Sequence, residues 1–265
     1  MYLVLFLRVS LAVHSDVWFL VWCGLEFSVL SFLLYISWWS VSSRKILLYF
    51  VSQIFGRFLL ITSSLVFTYS TVSVVLVAAV IYKMGFVPGN LWARTFVRGI
   101  GLSCALWFFV FLKVAPVAFM GGLLPLLIFP VVSLVVGITS IGSSMILTTF
   151  LYWSRLVGVP WLFFNQRSNM IWLYYIVYSI VISAVLLFPL SSDIGVFSFA
   201  GLPPFALFYA KVLVLGGAVV GLGVVLVVAA IASIVYYSRW LLWSRVGFPV
   251  VSSQSAGYVY VLLRK

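Results

Sequence analysis

Apolar residues follow one another in long runs along nearly the whole 265-residue sequence. The runs Val74–Ile81 and Val219–Ile231 contain no polar side chain, so neither can alternate between a wet and a dry face as a membrane β-strand must. Apolar residues make up 66% of the chain and charged residues 7%, against roughly 45–50% and about 25% in soluble domains. These features exclude an ordinary soluble enzyme, a disordered chain and a secreted disulfide scaffold. They predict an all-α, polytopic transmembrane helical bundle.

The spacing of the apolar runs sets the number of membrane spans. At about 20 residues per span, the chain has room for about ten helices. We expect residues 1–246 to form a single transmembrane domain and the polar tail at 247–265 to lie at the membrane surface. The longest connection, at about 88–98, is predicted to be a loop. The predicted apolar segments lie at about 2–13, 17–38, 45–67, 70–87, 99–119, 122–139, 142–164, 169–188, 195–216 and 218–242.

The charge of the chain is strongly positive, with 15 Lys and Arg against 3 acidic residues and a formal net charge of +12. Most basic residues lie beside apolar runs, where they set topology and contact lipid phosphates rather than nucleic acid. The cluster that includes Arg245 and Lys265 places the C-terminus on the matrix or cytoplasmic side by the positive-inside rule. Cys23 and Cys104 form no CxxC pair and have only His14 as a possible companion. We therefore expect no metal or iron–sulfur site in this chain alone.

Four ionisable residues lie inside apolar segments: Glu26, Lys83, Lys113 and Lys211. An intramembrane charge costs at least about 2.5–3.5 kcal/mol, so each is a candidate functional residue. Snorkelling is an alternative for Lys83, which lies near the end of its segment, but a weak one for Glu26 and Lys113. Arg57 is a further candidate that either reaches an interface or pairs with Glu26. Desolvation disfavours the charged forms and brings proton exchange within reach, so one acid with several lysines predicts a proton relay.

Proline and glycine interrupt the apolar pattern at three places. The interruptions contain Gly85 and Pro88, then Gly158 and Pro160, and finally Gly201, Pro203 and Pro204. Proline frees a backbone carbonyl, which persists at membrane depth only when it is buried in protein or lines a wet cavity. Two interruptions lie close to Lys83 and Lys211, and discontinuous helices beside ionisable groups are typical of transporters. Simple kinks, or the ends of spans, are the alternative interpretation for each.

Four short motifs, in a fixed order, carry a resemblance to a known family. They are Trp-x-Gly-Leu-Glu26, Lys83-Met-Gly-x-x-Pro88-x-x-x-Trp92, Lys113-Val-Ala-Pro116, and Gly201-Leu-Pro-Pro204 followed by Lys211. Over residues 17–240 the sequence resembles the antiporter-like membrane-arm subunits of respiratory complex I, the mitochondrial NADH:ubiquinone oxidoreductase. The resemblance implies a single antiporter-like domain over 1–246 that translocates protons while the complex transfers electrons from NADH to ubiquinone.

The resemblance also implies roles for the buried charges. Glu26 matches the essential glutamate of the family and Lys83 the lysine of the first broken helix, with which that glutamate is paired. Lys113 matches the central lysine of the relay, and Lys211 the terminal lysine on the second broken helix. One departure is clear, because Pro88-Gly89-Asn90 stands where the family usually has Pro-Phe-His.

Cofactors, partners and location follow from the same resemblance. The family holds no redox centre in this subunit, since FMN, the iron–sulfur clusters and ubiquinone belong to other subunits of the complex. The implied partners are neighbouring membrane-arm subunits, accessory subunits and phospholipid, including cardiolipin, with no nucleic acid. The implied location is the mitochondrial inner membrane, with the C-terminus on the matrix side.

Two other functions are compatible with the sequence. Multisubunit cation/proton antiporters share this ancestry, so the chain could belong to such a complex instead. A structural subunit that has lost pumping is the second alternative. The presence of all four intramembrane charges argues against it, because a scaffold gains nothing from their insertion cost.

Overall fold

The computed structural model describes residues 18–39, 41–65, 69–87, 89–114, 116–117, 128–144, 146–163, 170–188, 192–217 and 220–245. The predicted segment 2–13, the tail at 247–265 and Pro88 lie outside the described residues. The described residues are helical or in short connections, without strands. The helices fall into two compact units, one made of residues 1–96 and 103–126, the other of 97–102 and 127–265.

The first unit holds five α-helices among its described residues. These are α1 (Trp18–Trp38), α2 (Ser43–Leu65), α3 (Tyr69–Met84), α4 (Asn90–Val97) and α5 (Leu102–Phe109). The unit is held by an aromatic core in which the ring of Tyr49 lies 5.2 Å from Phe32 and 5.1 Å from Phe96, between centroids. Phe108 of α5 adds a fourth helix to this core, with its ring centroid 5.2 Å from that of Phe96. Such tilted and edge-on pairs stabilise a core beyond the area that they bury.

The loop predicted at 88–98 is wrong, since the structure has helix α4 over Asn90–Val97. The apolar residues Trp92, Ala93, Phe96 and Val97 recur at helical spacing and are buried, while Arg94 points to the exposed side. This short amphipathic pattern buries one stripe against the unit, which stabilises a helix too short to form alone.

The helix predicted over 99–119 is also less regular than expected. Helix α5 ends at Phe109, and a 3₁₀ turn follows at Phe111–Lys113. Pro116 has no N–H to give to the carbonyl of Leu112 four residues earlier, so the regular α-helical bond is lost at this point. The chain tightens instead, and Val114 N–H donates to the carbonyl of Phe111. The turn places Lys113 at an irregularity that the sequence analysis did not predict.

The second unit contains the remaining described helices. They are α6 (Ile128–Ile141), α7 (Leu147–Phe163), α8 (Met170–Leu187), α9 (Ser192–Ala200), α10 (Ala206–Gly217) and α11 (Val220–Arg245). Helix α6 packs on α7, and α11 packs on α6, α7 and α9. Trp240 of α11 stacks on Phe150 of α7 at 4.2 Å between ring centroids, and its indole N–H donates to the carbonyl of Ser144 at 2.9 Å.

The predicted interruption at Gly158 and Pro160 is wrong, because α7 runs through both residues. The reason is burial on all sides: the described side chains from 151 to 162 are buried without exception. Packing of this kind holds a helix together across one lost backbone hydrogen bond. By contrast, the predicted segment 195–216 is divided into α9 and α10, with residues 201–205 between them.

Several described helices have large apolar side chains on their exposed faces. On α11, Val224, Val228, Ile231 and Val235 are each more than half exposed. Water would not tolerate a large contiguous apolar surface on a monomer, whereas lipid does. Two described helices, over Ser43–Thr62 and Gly223–Trp243, are also long and apolar enough to cross a membrane.

Candidate functional site

A buried cluster of charges joins three helices of the first unit. Glu26 of α1 forms an ion pair with the Arg57 guanidinium of α2 through Oε2, and its Oε1 lies 4.0 Å from Lys83 Nζ of α3. The Lys83 side chain is 7% exposed, the Glu26 side chain 11% and the Arg57 side chain 29%. Arg57 therefore pairs with Glu26, which decides between the two alternatives left by the sequence. Within the described residues, neither Glu26 Oε1 nor Lys83 Nζ has a hydrogen-bond partner.

The position of Lys83 follows from the way in which α3 ends. Gly85 has a φ of +74°, its N–H donates to the carbonyl of Tyr82 at 2.9 Å, and Phe86 N–H donates to Ile81 at 3.0 Å. These paired bonds are the Schellman motif, which needs a residue in the left-handed region and so favours glycine. A Cβ at Gly85 would lie 2.5 Å from Ala93 Cβ of α4, so the close approach also requires glycine. Lys83 is thereby fixed in the last turn of α3.

Lys113 donates to the free carbonyl at this same helix end. Its Nζ lies 2.9 Å from the Met84 oxygen, although the two residues are 29 apart in sequence. The ammonium also lies 4.5 Å from the centroid of the Phe108 ring and 5.8 Å from that of Trp92. A helix C-terminus carries partial negative charge, and aromatic faces attract cations, so the ammonium group has favourable electrostatic contacts here.

A small cavity lies beside the two lysines of the first unit. Its volume is about 20 Å³, and Lys83 and Lys113 both line it. The remaining polar lining comes from Ser28, Tyr49 and Gln53. A volume of roughly 10–15 Å³ is enough for one water molecule when polar partners are present. The cavity can therefore hold about one water molecule in contact with its lining, which includes Lys83 and Lys113.

The second unit has a comparable helix end at α9. Gly201 also has a φ of +74°, and its N–H donates to the carbonyl of Ser198 at 3.0 Å. Lys211 of α10 folds back so that its Nζ donates to the carbonyls of Phe199 at 3.1 Å and Ala200 at 3.2 Å. A Cβ at Gly201 would lie 2.7 Å from that Nζ, so glycine makes room for the lysine.

The other predicted residues of the second break lie in the connection between α9 and α10. Pro203 and Pro204 are both in the turn after Gly201, and both are exposed. Neither can donate a backbone hydrogen bond, which keeps the two helices from joining into one. The ring of Trp161, on α7, lies 5.6 Å from Lys211 Nζ. Lys211 is thus held by two carbonyls and an aromatic face.

Arg155 is a buried charge that the sequence analysis did not propose as functional. It lies on α7, is 5% exposed, and makes a side-chain hydrogen bond with Tyr175 of α8. Tyr178 lies one turn further along α8 and packs its ring 5.5 Å from that of Phe199. A signal was present in the sequence, because Arg155 is as deep in its apolar segment as Lys113 is in its own. Among the described residues, no group of three or more His, Cys, Asp or Glu side chains is arranged to hold a metal ion.

Chains of known structure share this fold. A chain in the structure of respiratory complex I from Thermus thermophilus with bound aureothin matches 91% of this chain and 68% of its own length, with a TM-score of 0.81 and 18% sequence identity. A chain of the Mrp complex from Dietzia sp. DQ12-45-1b matches 91% of this chain and 59% of its own length, with a TM-score of 0.68 and 14% identity. No protein-family model and no curated protein matches the sequence.

These similarities identify the class of fold. The predicted all-α, polytopic transmembrane bundle is confirmed, and it is the fold of chains in the respiratory complex and in the Mrp complex. At 18% and 14% identity the likeness concerns the fold alone.

Proposed function

We propose that this chain is a proton-translocating, antiporter-like membrane-arm subunit of respiratory complex I. The observation that carries the proposal is the arrangement in the first unit, where Glu26 lies beside Lys83, and Lys83 and Lys113 line a cavity of about 20 Å³ at the end of a broken helix. Buried ionisable groups that are connected by polar space are suited to proton transfer. The fold match to a chain of complex I adds support.

The proton-transfer steps use the contacts of the buried groups. Glu26 is shared between Arg57 and Lys83, so its interaction with Lys83 at 4.0 Å sets how strongly that lysine holds a proton. Lys83 and Lys113 exchange a proton across the cavity, because both line it. Lys113 keeps its proton while its ammonium donates to Met84 O, and releases it when that bond breaks. Lys211 serves as the terminal group of the relay, held at the C-terminal carbonyls of α9.

The finer identity follows the sequence resemblance. We propose subunit 2 of the mitochondrial enzyme, located in the inner membrane, with the tail at 247–265 on the matrix side and residues 1–246 acting as one transmembrane domain. Neighbouring membrane-arm subunits, accessory subunits and phospholipid, including cardiolipin, are its proposed partners. FMN, iron–sulfur clusters and ubiquinone are assigned to other subunits, so this chain contributes proton transfer and no redox centre.

A second candidate function is membership of a multisubunit cation/proton antiporter. The observation that favours it is the fold match to a chain of the Mrp complex, with a TM-score of 0.68 over 91% of this chain. Native gels of the membranes that contain this chain distinguish the two. Comigration with NADH dehydrogenase activity in a complex of megadalton size supports complex I. A smaller complex without that activity, in membranes that exchange cations for protons, supports the antiporter.

A structural subunit without pumping is the remaining candidate, and the lysines distinguish it. Under the relay proposal, substituting Lys113 stops NADH-driven proton release from membranes in which the complex is still assembled. Under the structural proposal, the complex assembles poorly and the protons pumped per electron by the assembled fraction stay normal. The measurement is acidification per electron at matched levels of complex.

A further inference from the structure

One face of α2 carries a stripe of three polar residues, of which the relay described above uses only Arg57. Tyr49, Gln53 and Arg57 follow one another at intervals of four residues, which places them on the same side of the helix. Arg57 is paired with Glu26, while Tyr49 and Gln53 line the cavity between Lys83 and Lys113. Gln53 is 4% exposed and Tyr49 is 2% exposed, so both side chains are buried.

Water in this cavity needs acceptors as well as donors. A protonated lysine offers three donors and no acceptor, so Lys83 and Lys113 can only fill the lone pairs of a water molecule. The hydrogens of that water must find an oxygen on the wall. The Ser28 hydroxyl donates its own hydrogen to the carbonyl of Leu25 at 2.7 Å. Gln53 is the lining side chain that combines an amide oxygen with N–H donors in one rigid group.

We propose that Gln53, assisted by Tyr49, binds and orients the water molecule through which Lys83 and Lys113 exchange a proton. Gln53 is thus a positioning residue, since it acts on the water and not on the reacting amino groups. The amide oxygen accepts one hydrogen of the water, which leaves an oxygen lone pair to take a proton from the Lys83 ammonium and the second O–H to donate a proton to a neutral Lys113 amine. No bond other than O–H and N–H is made or broken, and each proton that leaves Lys83 for the water is matched by one that passes from the water to Lys113.

This inference rests on the proposed function and has a test that separates the two. Gln53→Met keeps the length and volume of the side chain but has no oxygen, so proton-limited turnover is expected to fall roughly tenfold, the effect of losing one buried hydrogen bond. Tyr49→Phe keeps the ring packing and is expected to lower turnover by a smaller factor. The measurement is NADH-driven acidification per electron, in membranes with matched levels of assembled complex.

Ser52→Ala is the matched control. Ser52 lies beside Gln53 on α2 and is equally buried at 4%, but its hydroxyl donates to the carbonyl of Tyr49 at 2.7 Å and it does not line the cavity. The control is expected to pump normally. Lys113→Met, measured in parallel, tests the relay itself. Loss of pumping in Lys113→Met together with full pumping in Gln53→Met overturns the role of Gln53 and leaves the relay in place.

Gln53→Glu separates water binding from packing. A glutamate retains an acceptor oxygen, so we expect it to pump better than Gln53→Met if the amide oxygen orients water. If Gln53 only fills space, the order is reversed, because an apolar isostere is tolerated in a core and a buried carboxyl is not. Pumping by Gln53→Met that equals or exceeds that of Gln53→Glu contradicts the proposal.

Discussion

The first halves of the two broken helices end in the same way, but different residues surround the lysine at each end. Helix α3 ends at Gly85 and helix α9 at Gly201, both with a φ of +74°. At each end a buried lysine donates to the last carbonyls: Lys113 at the end of α3, and Lys211 at the end of α9. The partial negative charge of a helix C-terminus stabilises a cation, so both units hold a buried lysine with the same backbone arrangement.

The difference lies in what surrounds each lysine. At the first break the helix carries a second lysine, Lys83, whose partner Glu26 is itself shared with Arg57. At the second break Lys211 comes from the other half of the same broken helix, and its polar contacts in the described part of the chain are backbone carbonyls. Two lysines across a cavity are suited to passing a proton, whereas one lysine held by two carbonyls is suited to storing it. The first unit is therefore expected to be the transfer step and the second the end point.

The largest expected effect tests whether both lysines exchange protons. Lys113→Arg and Lys211→Arg keep the positive charge at the helix end but cannot be deprotonated in a protein. Each is expected to lose nearly all NADH-driven proton release per electron, about as completely as the corresponding methionine variants. The exposed Arg94, outside both breaks, provides the control, and Arg94→Ala is expected to pump normally.

A split result sharpens the comparison. Full pumping by Lys113→Arg contradicts a relay role for Lys113 and indicates that this residue is a fixed structural charge. If Lys211→Arg alone is active, the second break anchors its unit and the transfer function belongs to the first unit only.

The next effect concerns Glu26, which has no counterpart at the second break in the described structure. Glu26→Gln keeps the shape of the side chain but leaves the Lys83 and Arg57 cations without their counter-charge. Breaking a buried pair in this way is strongly unfavourable, so we expect turnover to fall at least about tenfold with the complex still assembled. The measurement is quinone reduction together with proton output. Normal values for both in the assembled mutant remove Glu26 from the relay.

Substituting Gly85 or Gly201 by alanine is expected to have different effects, because an added Cβ meets different atoms at the two breaks. Alanine in the left-handed region costs about 1–2 kcal/mol at either position. At Gly85 the added Cβ would lie 2.5 Å from Ala93 Cβ, and Ala93 Cβ can move away only if the backbone of α4 moves with it. Gly85→Ala is therefore expected to reduce assembly of the complex. At Gly201 the Cβ meets the flexible end of Lys211 at 2.7 Å, so Gly201→Ala is expected to reduce pumping more than assembly.

Gly223→Ala is the control for both glycines. Gly223 lies in helix α11, and an added Cβ there has nothing within 4 Å. Alanine is expected to leave assembly unchanged or to raise it slightly, since glycine weakens a helix by about 0.5–1 kcal/mol. Complex levels on native gels are the readout. Equal losses of assembly at Gly85 and Gly201 contradict the distinction.

The sequence predicted which charged residues are buried better than it predicted what they contact. Glu26 and Lys113 stand out because each is a charged residue within an apolar run. Inserting a charge into a membrane costs free energy, so such a residue is a candidate functional residue. That Lys113 donates to Met84 depends on a helix end 29 residues away, which no local pattern reveals. Helix α7 persists through Pro160 for a related reason: its surrounding side chains are buried, and burial is a property of the packed unit.

Arg155 and α4 show where the sequence analysis fell short. The rule that basic residues lie beside apolar runs favours an interfacial position for Arg155, although Arg155 is as deep in its apolar segment as Lys113 is in its own. The sequence predicts a loop where the structure has helix α4, because the apolar stripe covers less than two turns and follows a proline and a glycine. In both cases the local signal was present but weaker than a competing rule.

The smallest expected effect concerns Arg57, the residue that makes the first charge cluster unlike the second break. Its side chain is 29% exposed, and partly exposed pairs are worth about 0.2–1 kcal/mol. Arg57→Gln leaves Glu26 with Lys83, which is only 4.0 Å away and needs a small side-chain movement to take over the carboxylate. Proton output per electron is therefore expected to stay within about fivefold of the parent protein. A loss as large as that of Glu26→Gln makes Arg57 an obligatory member of the relay. Glu26 would then need both Arg57 and Lys83 at once. Lys211 has no side-chain counter-charge in the described structure, so the two breaks would differ in mechanism.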